Sequence, residues 1–353
     1  MPLRYPMILM LCGLLASPGS MRAEDLPLGL NRLNPVENPP SAEVIGLGEK
    51  LFFDKRLSRD GTVSCATCHV PEEAFAQRGH ATSKGVDGII GRRNSPSLLN
   101  VTFAKHLFLD GRSSSLEDQA WQPILADDEM GNKSVEEVLD RLAKTKDYPP
   151  KFAAAFGKEQ PDKASVAKAL ASFQRTLVSG NSPFDQWNWG GEDDAMSEQA
   201  VEGYNLFAGQ ALCWQCHRLG GDHGIIFTDQ EFHNTGVAWL SKQKRQKSKL
   251  APPGGKEDLG RFEATGRDRD RGFYKTPSLR NIALTAPYMH DGSIATLKEV
   301  VEFYNGGGGN DATQALYLDE EQIDSIVAFL ETLTGDQEFK SPKEDPQTGS
   351  GGR

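Results

Sequence analysis

The sequence predicts a mainly α-helical fold made of two related halves. Three observations carry that prediction. Apolar residues recur at helical spacing in short segments along the chain, and no segment shows the alternation of a convincing strand. A pentapeptide of the form C-x-x-C-H occurs twice, as Cys65-Ala66-Thr67-Cys68-His69 and as Cys213-Trp214-Gln215-Cys216-His217. A block of residues that follows the first pentapeptide also returns, without a gap, after the second.

C-x-x-C-H is the attachment signature of c-type haem: two thiols three residues apart tether the vinyl groups of one porphyrin, and the adjacent imidazole meets the iron. Two copies that use every cysteine left after export processing make chance a poor explanation. Cys65, Cys68, Cys213 and Cys216 are therefore expected to bind two haem c groups, with His69 and His217 on the irons. Each half is expected to be a cytochrome-c-like haem domain.

Composition agrees. With 353 residues, 38% apolar and 25% charged, the chain has room for two soluble globular domains. Arg4, an apolar run from Met7 to Ala16, Ser17-Pro18-Gly19-Ser20 and Ala23 before Glu24 read as a secretory signal peptide over 1–23, too short for a membrane span. Cys12 would leave with it. So would Arg4 and Arg22 and no acids, moving the formal charge from −10 to −12. That balance excludes a nucleic-acid binder. The remaining four cysteines all lie in the haem motifs, which excludes a disulfide framework. Bacteria attach c-type haem outside the cytoplasm, so the periplasm is the expected location.

The elements follow in order. Residues 24–40, rich in Pro and Asn, read as an extended lead-in to an N-terminal haem domain spanning 24–180. Val44, Leu47, Leu51 and Phe52 predict a helix over Ser41–Phe53. A Gly-rich loop from Gly79 to Arg93 follows the first motif. Ser115 and Asp118 start a helix with Leu116, Gln119, Ala120 and Pro123 on one face, and Ser134 with Glu137 forms a capping box. Residues 164–178 form a further helix, and Asn181–Asp194 reads as the interdomain connection. A C-terminal haem domain over 195–335 repeats the plan, with helices at Ser197–Phe207, after the capping box Thr296/Glu299, and after Asp319/Gln322. Leu240–Gly272 reads as an inserted polar loop. Its Lys242, Lys244, Arg245, Lys247 and Lys249 could dock an acidic partner, but such a run is more often a solvated loop, which is the reading taken. Residues 336–353 are expected to be disordered. His106, His223 and His233 are read as structural.

The repeat distinguishes the two irons. Pro96-Ser97-Leu98 matches Pro277-Ser278-Leu279 at an offset of 181, as Asp110-Gly111 matches Asp291-Gly292 and Leu116 matches Leu297. Carried on, the offset places Pro123 on Tyr304. A phenolate oxygen can bind ferric iron, whereas Pro123 offers no ligand atom. The first haem would then be open to peroxide or dioxygen and the second closed. Tyr304 as a plain core residue remains the alternative at this point. Glu129 and Gln119 are candidates for the pocket above the open haem, where a carboxylate can move a proton between peroxide oxygens. For Glu129, a solvated acid in the run Asp127-Asp128-Glu129 is equally open.

These residues resemble the bacterial di-haem cytochrome c peroxidase family, and within it the MauG-like members that mature methylamine dehydrogenase. The resemblance covers nearly the whole mature chain. It rests on the two C-x-x-C-H motifs, Arg93-Asn94-Ser95-Pro96-Ser97, Asp110-Gly111-Arg112, Gln119 with Glu129, and Thr285-Ala286-Pro287-Tyr288-Met289-His290-Asp291-Gly292. It implies Tyr304 as second-haem ligand where the peroxidases carry methionine, and Glu129, Gln119 and Pro123 around the open haem. Val86 stands where the peroxidases place a distal histidine. It also implies an interhaem calcium held by Asn94, Thr285 and Pro287. Two positions depart from the family. Leu109 replaces the interhaem tryptophan, and Ala211 replaces a surface tryptophan used by MauG-like proteins, leaving Trp214 as the nearest surface relay.

The expected function is that of a periplasmic enzyme, a di-haem oxidase. It would use hydrogen peroxide, or dioxygen plus electrons, to oxidise tryptophans of the methylamine dehydrogenase precursor and complete tryptophan tryptophylquinone. The alternative is a peroxidase fed by a small cytochrome or cupredoxin, against which Tyr304 argues by lowering the haem potential. A plain di-haem carrier is disfavoured by Pro123.

Overall fold

The computed structural model describes residues 26–30, 39–221, 223–249 and 255–342; the expected signal peptide and Cys12 lie outside them. In order, the helices are α1 (Ala42–Phe53), α2 (Cys65–Cys68), α3 (Leu116–Leu125), α4 (Val135–Lys144), α5 (Pro149–Phe156), α6 (Lys163–Gln174), α7 (Pro183–Asp185), α8 (Glu198–Ala208), α9 (Val237–Ser248), α10 (Phe262–Thr265), α11 (Leu297–Asn305) and α12 (Glu320–Glu331). Among the described residues the only strands are β1 (Phe232–His233) and β2 (Tyr274–Lys275), paired antiparallel. No described helix is long and apolar enough to cross a membrane.

Local chemistry sets the helix starts. Ser115, Thr296 and Asp319 accept the amides of Asp118, Glu299 and Gln322, satisfying donors that the first turn leaves open. At α4 the box is shifted: Ser134 caps Glu137, but the Glu137 carboxylate takes the Lys133 amide.

Each half crosses its first helix over its last. α1 packs on α6 and α8 on α12, and a glycine sits at each crossing. A Cβ on Gly48 would lie 1.9 Å from the Ala169 carbonyl oxygen, and one on Gly203 would lie 1.8 Å from that of Ser325. Backbone meets backbone here, so neither side can yield. Gly203→Ala is expected to destabilise the C-terminal half by about 3 kcal/mol, the upper end for overpacking, read as a lowered denaturation midpoint.

The repeat is present in three dimensions at the offset of 181. The bridges Leu107–Ser113 and Tyr288–Ile294 correspond. So do the left-handed residues Asn100 and Asn281 at φ +63° and +61°, and Phe108 and Met289 at +62° and +74°.

Two apolar cores result. One joins Leu47, Leu51, Phe52, Trp121, Ile124 and Phe152; the other joins Phe207, Phe227, Val301, Ile326 and Phe329. Residues 181–194 do not form a bare connection, because Phe184 lies in the second core and the Asp185 carboxylate pairs with Arg280 at 2.8 Å, both fully buried. Arg280 also donates to the carbonyls of Ile225 and Gly29, tying the lead-in to the second half.

Three expectations are corrected. The insertion is not a loop: it forms α9 and α10. It is strapped across the domain boundary, with Arg93 bridging Asp110 and Asp258 at 2.6 Å each and Arg92 pairing with Glu263 at 2.7 Å. The tail is not disordered from 336. Gln337 accepts the Gly180 amide, Phe339 packs edge-on against Phe75 and Ser341 donates to Glu72; residues 343–353 lie outside the described range. The predicted helix over 164–178 stops at Gln174, because Thr176 and Leu177 turn so that the Leu177 carbonyl can take the Asn100 amide.

Candidate active site: two haem-binding motifs with unequal surroundings

Both motifs sit at the mouth of their half's core. The single turn α2 presents Cys65 and Cys68, capped by Ser64, whose own amide is taken by the Thr67 hydroxyl. His69 follows as it ends. The second motif is a looser turn over Cys213–Gln215. The four thiols are free of disulfides.

The two histidines are held alike. His69 donates Nδ1–H to the Phe75 carbonyl at 3.0 Å, and His217 to the Phe227 carbonyl at 2.9 Å. A carbonyl accepts only, so each ring carries its proton on Nδ1 and keeps the Nε2 lone pair for a metal. Burial pushes both imidazoles below their usual pKa, which favours the neutral, ligating form. Free thiols spaced by two residues beside a neutral, oriented imidazole fit c-type haem at each motif.

What faces the motifs differs. In the first half the turn after α3 folds back, with the Met130 amide on the Pro123 carbonyl and the Glu129 amide on that of Ala126. The Glu129 carboxyl lies deep, although the residue as a whole is half-buried. Burial first, then the charge of Asp128, pushes it up to about 7, against the opposing pull of Arg112 and Arg93. Burial raises both Cys65 and Cys68, and the Glu129 charge adds to it, which puts the carboxyl on the side of the first motif. Gln119, one helical turn before Pro123, is half-buried, and its side chain has no hydrogen bond among the described residues. Val86 is fully buried and donates its amide to the Glu129 carbonyl.

In the second half the residue equivalent to Pro123 is Tyr304 on α11. Burial pushes its phenol up to about 12, with further upward pressure from Cys216 and Cys213, while a hydrogen bond with Thr235 opposes it. The phenol therefore faces the second motif.

Of the expected calcium ligands, Asn94 lies where the Gly79–Arg93 loop meets the segment Ala286–His290. Asn94 donates its amide to the His290 carbonyl at 2.8 Å, and Gly79 donates to that of Ala286 at 3.0 Å. The Asn94 side-chain nitrogen is engaged by His80 and Ala81 carbonyls, which leaves Oδ1 as its free donor.

One residue escaped sequence reasoning. Lys275 is half-buried, its amide donating across the halves to the Leu109 carbonyl at 2.8 Å and its ammonium to the Thr276 carbonyl at 3.2 Å, and desolvation lowers that ammonium to about 8. Its only sequence signal was a lysine entering the Thr276-Pro277-Ser278 block. Ala211 is 3% exposed, so the position of the missing tryptophan is not a surface in this chain.

Comparison with known proteins accords with this geometry. A family model for di-haem cytochrome c peroxidase matches residues 42–194, and one for cytochrome c matches 200–334. The methylamine utilization protein MauG of Methylorubrum extorquens is 40% identical over 306 residues, 85% of this chain and 80% of its own length. The chain belongs to the di-haem cytochrome c peroxidase family. Family membership makes it a haem oxidoreductase and implies covalently bound haem c at the cytochrome c domains. Cytochrome c551 peroxidase of Nitrosomonas europaea is also similar, 35% identical over 338 residues, 95% of this chain and 92% of its own. A crystal structure of a MauG-like protein associated with microbial copper homeostasis superposes with a TM-score of 0.73 at 33% identity, covering 88% of this chain and 93% of that one. Within the family, relatives bearing both MauG and peroxidase names stand at comparable identity.

Proposed function

We propose that this family member is a periplasmic, MauG-like oxidase. It uses hydrogen peroxide to oxidise tryptophans of the methylamine dehydrogenase precursor, completing tryptophan tryptophylquinone. The observation that carries the reading is the inequality of the halves: at equivalent repeat positions stand Pro123, which offers no ligand atom, and Tyr304, whose buried phenol does.

Haem held by His69 supplies the redox chemistry of O–O cleavage; the chain's own groups manage protons and access. The Glu129 carboxylate takes a proton from one peroxide oxygen and returns it to the other, which leaves as water. A carboxyl titrating near 7 is matched to that exchange at neutral pH. Gln119 is free to donate to the same ligand. Val86 and Pro123 keep the pocket apolar, which favours a protonated leaving group over a charged one. At the second site His217 and Tyr304 would be the residues that hold the haem iron. Asn94, Thr285 and Pro287 would hold a calcium ion through oxygen atoms, as a hard cation requires.

A second reading, a peroxidase drawing electrons from a small cytochrome, is favoured by Leu109 and the buried Ala211, which remove two aromatic stations. The discriminating experiment adds peroxide to the fully oxidised protein and offers either the quinone-precursor protein or a reduced small cytochrome. Quinone absorbance without prior reduction of the enzyme is expected. Reaction only after half-reduction, and only with the cytochrome, would overturn the first reading in favour of the second.

A further inference from the structure

The lysine run at 242–249 is a helix, and its position gives it a use. α9 is capped by Gly236, which follows Thr235, and the Thr235 carbonyl accepts the Gly309 amide at 2.9 Å just beyond α11, the helix that carries Tyr304. Gly236 lies so close to Gly309 that a Cβ would sit 1.8 Å from the Gly309 carbonyl oxygen. Val237 and Ser241 are buried, and Ser241 donates to the Asp291 carboxylate. The first turn of α9 is thus fastened to the second-haem side of the molecule.

Its outer surface is unlike the rest of the chain. Trp239 and Leu240 are 44% and 36% exposed. From Val237 to Lys249 there are five cations and no acid, in a chain whose formal charge is −10. Lys242 pairs with Glu257 at 3.5 Å; Lys244, Arg245, Lys247 and Lys249 form no ion pair among the described residues. Trp239, Lys242 and Gln246 share one helix face, and Leu240, Lys244 and Lys247 the next. An exposed indole and leucine on a helix that also carries four unpaired cations have the composition of an interface centre rather than of a solvated face.

We propose that α9 is the docking surface for the electron-donating partner, that this partner presents an acidic face, and that Trp239 relays electrons inward. This rests on the reading that a protein supplies the electrons. The occupant is argued from charge: an acidic body that displays one basic, aromatic helix steers an acidic protein to that spot and repels it elsewhere. Two exposed apolar side chains are too few to embed a helix in a bilayer surface, which sets an anionic membrane aside. Trp239 lies in the first turn of α9, the turn that Gly236, Val237 and Ser241 fasten to the second-haem side. Trp214 is also exposed, but only Arg218 lies near its ring. The electron count closes: Trp239 passes one electron inward and takes one from the partner, ending unchanged. Two such passages and two solvent protons reduce one peroxide to two waters.

The test uses the holoprotein with reduced plastocyanin as an acidic probe and a basic mitochondrial cytochrome c as its counterpart. Binding is measured directly, and electron transfer is scored as the ratio of probe oxidation to oxidation of a small dye by peroxide. The acidic probe is expected to bind more tightly, with affinity falling steeply above about 100 mM salt, where the Debye length drops to about 10 Å. The combined Lys242→Glu, Lys244→Glu and Lys247→Glu variant should weaken that binding about tenfold or more, as reversing interfacial charges does. Trp239→Phe should retain binding yet lower the probe-to-dye ratio about tenfold, with Trp214→Phe at the wild-type ratio; haem content and melting temperature verify folding of all three. Equal binding by the charge-reversed variant, a ratio that falls with Trp214→Phe instead, or binding of anionic phospholipid vesicles in place of the acidic probe would overturn the proposal. Absence of peroxide-driven dye oxidation would sink the proposed function alone, since the binding comparison stands without it.

Discussion

Glu129→Gln is expected to slow peroxide-driven oxidation by about 10²–10⁴-fold, the usual worth of a positioned acid–base group, with both haems still attached. The wild-type rate of reaction with peroxide should rise with pH through about 7, where the carboxyl ionises, and level off above. The variant should lack that inflection. Stability should move the other way. The folded-state pKa is raised from 4.5 to about 7, so between those values the folded chain holds a proton that the unfolded chain has released. Folding is therefore weakened progressively as pH climbs through that window, and the cost is complete above it. At roughly 1.4 kcal/mol per unit, it amounts to at most about 3 kcal/mol. Glutamine has no such cost, so the variant should melt higher than wild type at pH 8 and equally at pH 4. Rapid mixing with peroxide and thermal melts at the two pH values check both halves. A variant with unchanged rate and unchanged melting at pH 8 would return Glu129 to the status of a solvated acid.

Tyr304→His carries the second large effect. Burial holds the phenol up to about 12, so at neutral pH it stays protonated unless a Lewis acid takes its oxygen. Binding to ferric iron then releases a proton and favours the oxidised state. A neutral imidazole in its place should raise the potential of the second haem by on the order of a hundred millivolts or more, within the roughly 0.8 V that axial ligands span. It should also abolish oxidation of the quinone-precursor protein. Tyr304→Phe should leave that haem without its second protein ligand and change its spin state. Spectroelectrochemistry and the visible spectrum read both. A potential and spectrum identical to wild type would make Tyr304 a core tyrosine.

Much of this was legible before any coordinates. C-x-x-C-H names its own chemistry because covalent tethering needs those atoms at that spacing. The offset of 181 was readable because the block between Pro96 and Leu116 keeps Pro-Ser-Leu and Asp-Gly, with a left-handed turn at Gly111 and Gly292 that few residue types tolerate. Helix starts were legible where Ser, Thr or Asp precedes an acid or amide by three. The insertion was misread for the opposite reason. Lysine-rich Trp239–Lys249 has helix propensity but no apolar stripe, and its helix is anchored by one close approach of Gly236 to Gly309, a contact with no local signature.

The sequence by itself determined that this chain has two c-type haem motifs in a repeated helical frame, and that Pro123 and Tyr304 stand at equivalent positions of the repeat. These are statements about which atoms exist at which spacing. Only the tertiary structure decided that desolvation pushes the Glu129 carboxyl up to about 7, that Ala211 is interior, that Lys275 reaches Leu109 across the halves, and that the basic insertion is a helix fastened at Gly309. Each depends on how far a group is removed from water and on what distant segments bring against it. Desolvation and long-range contact are properties of the folded volume, and no local spacing encodes them.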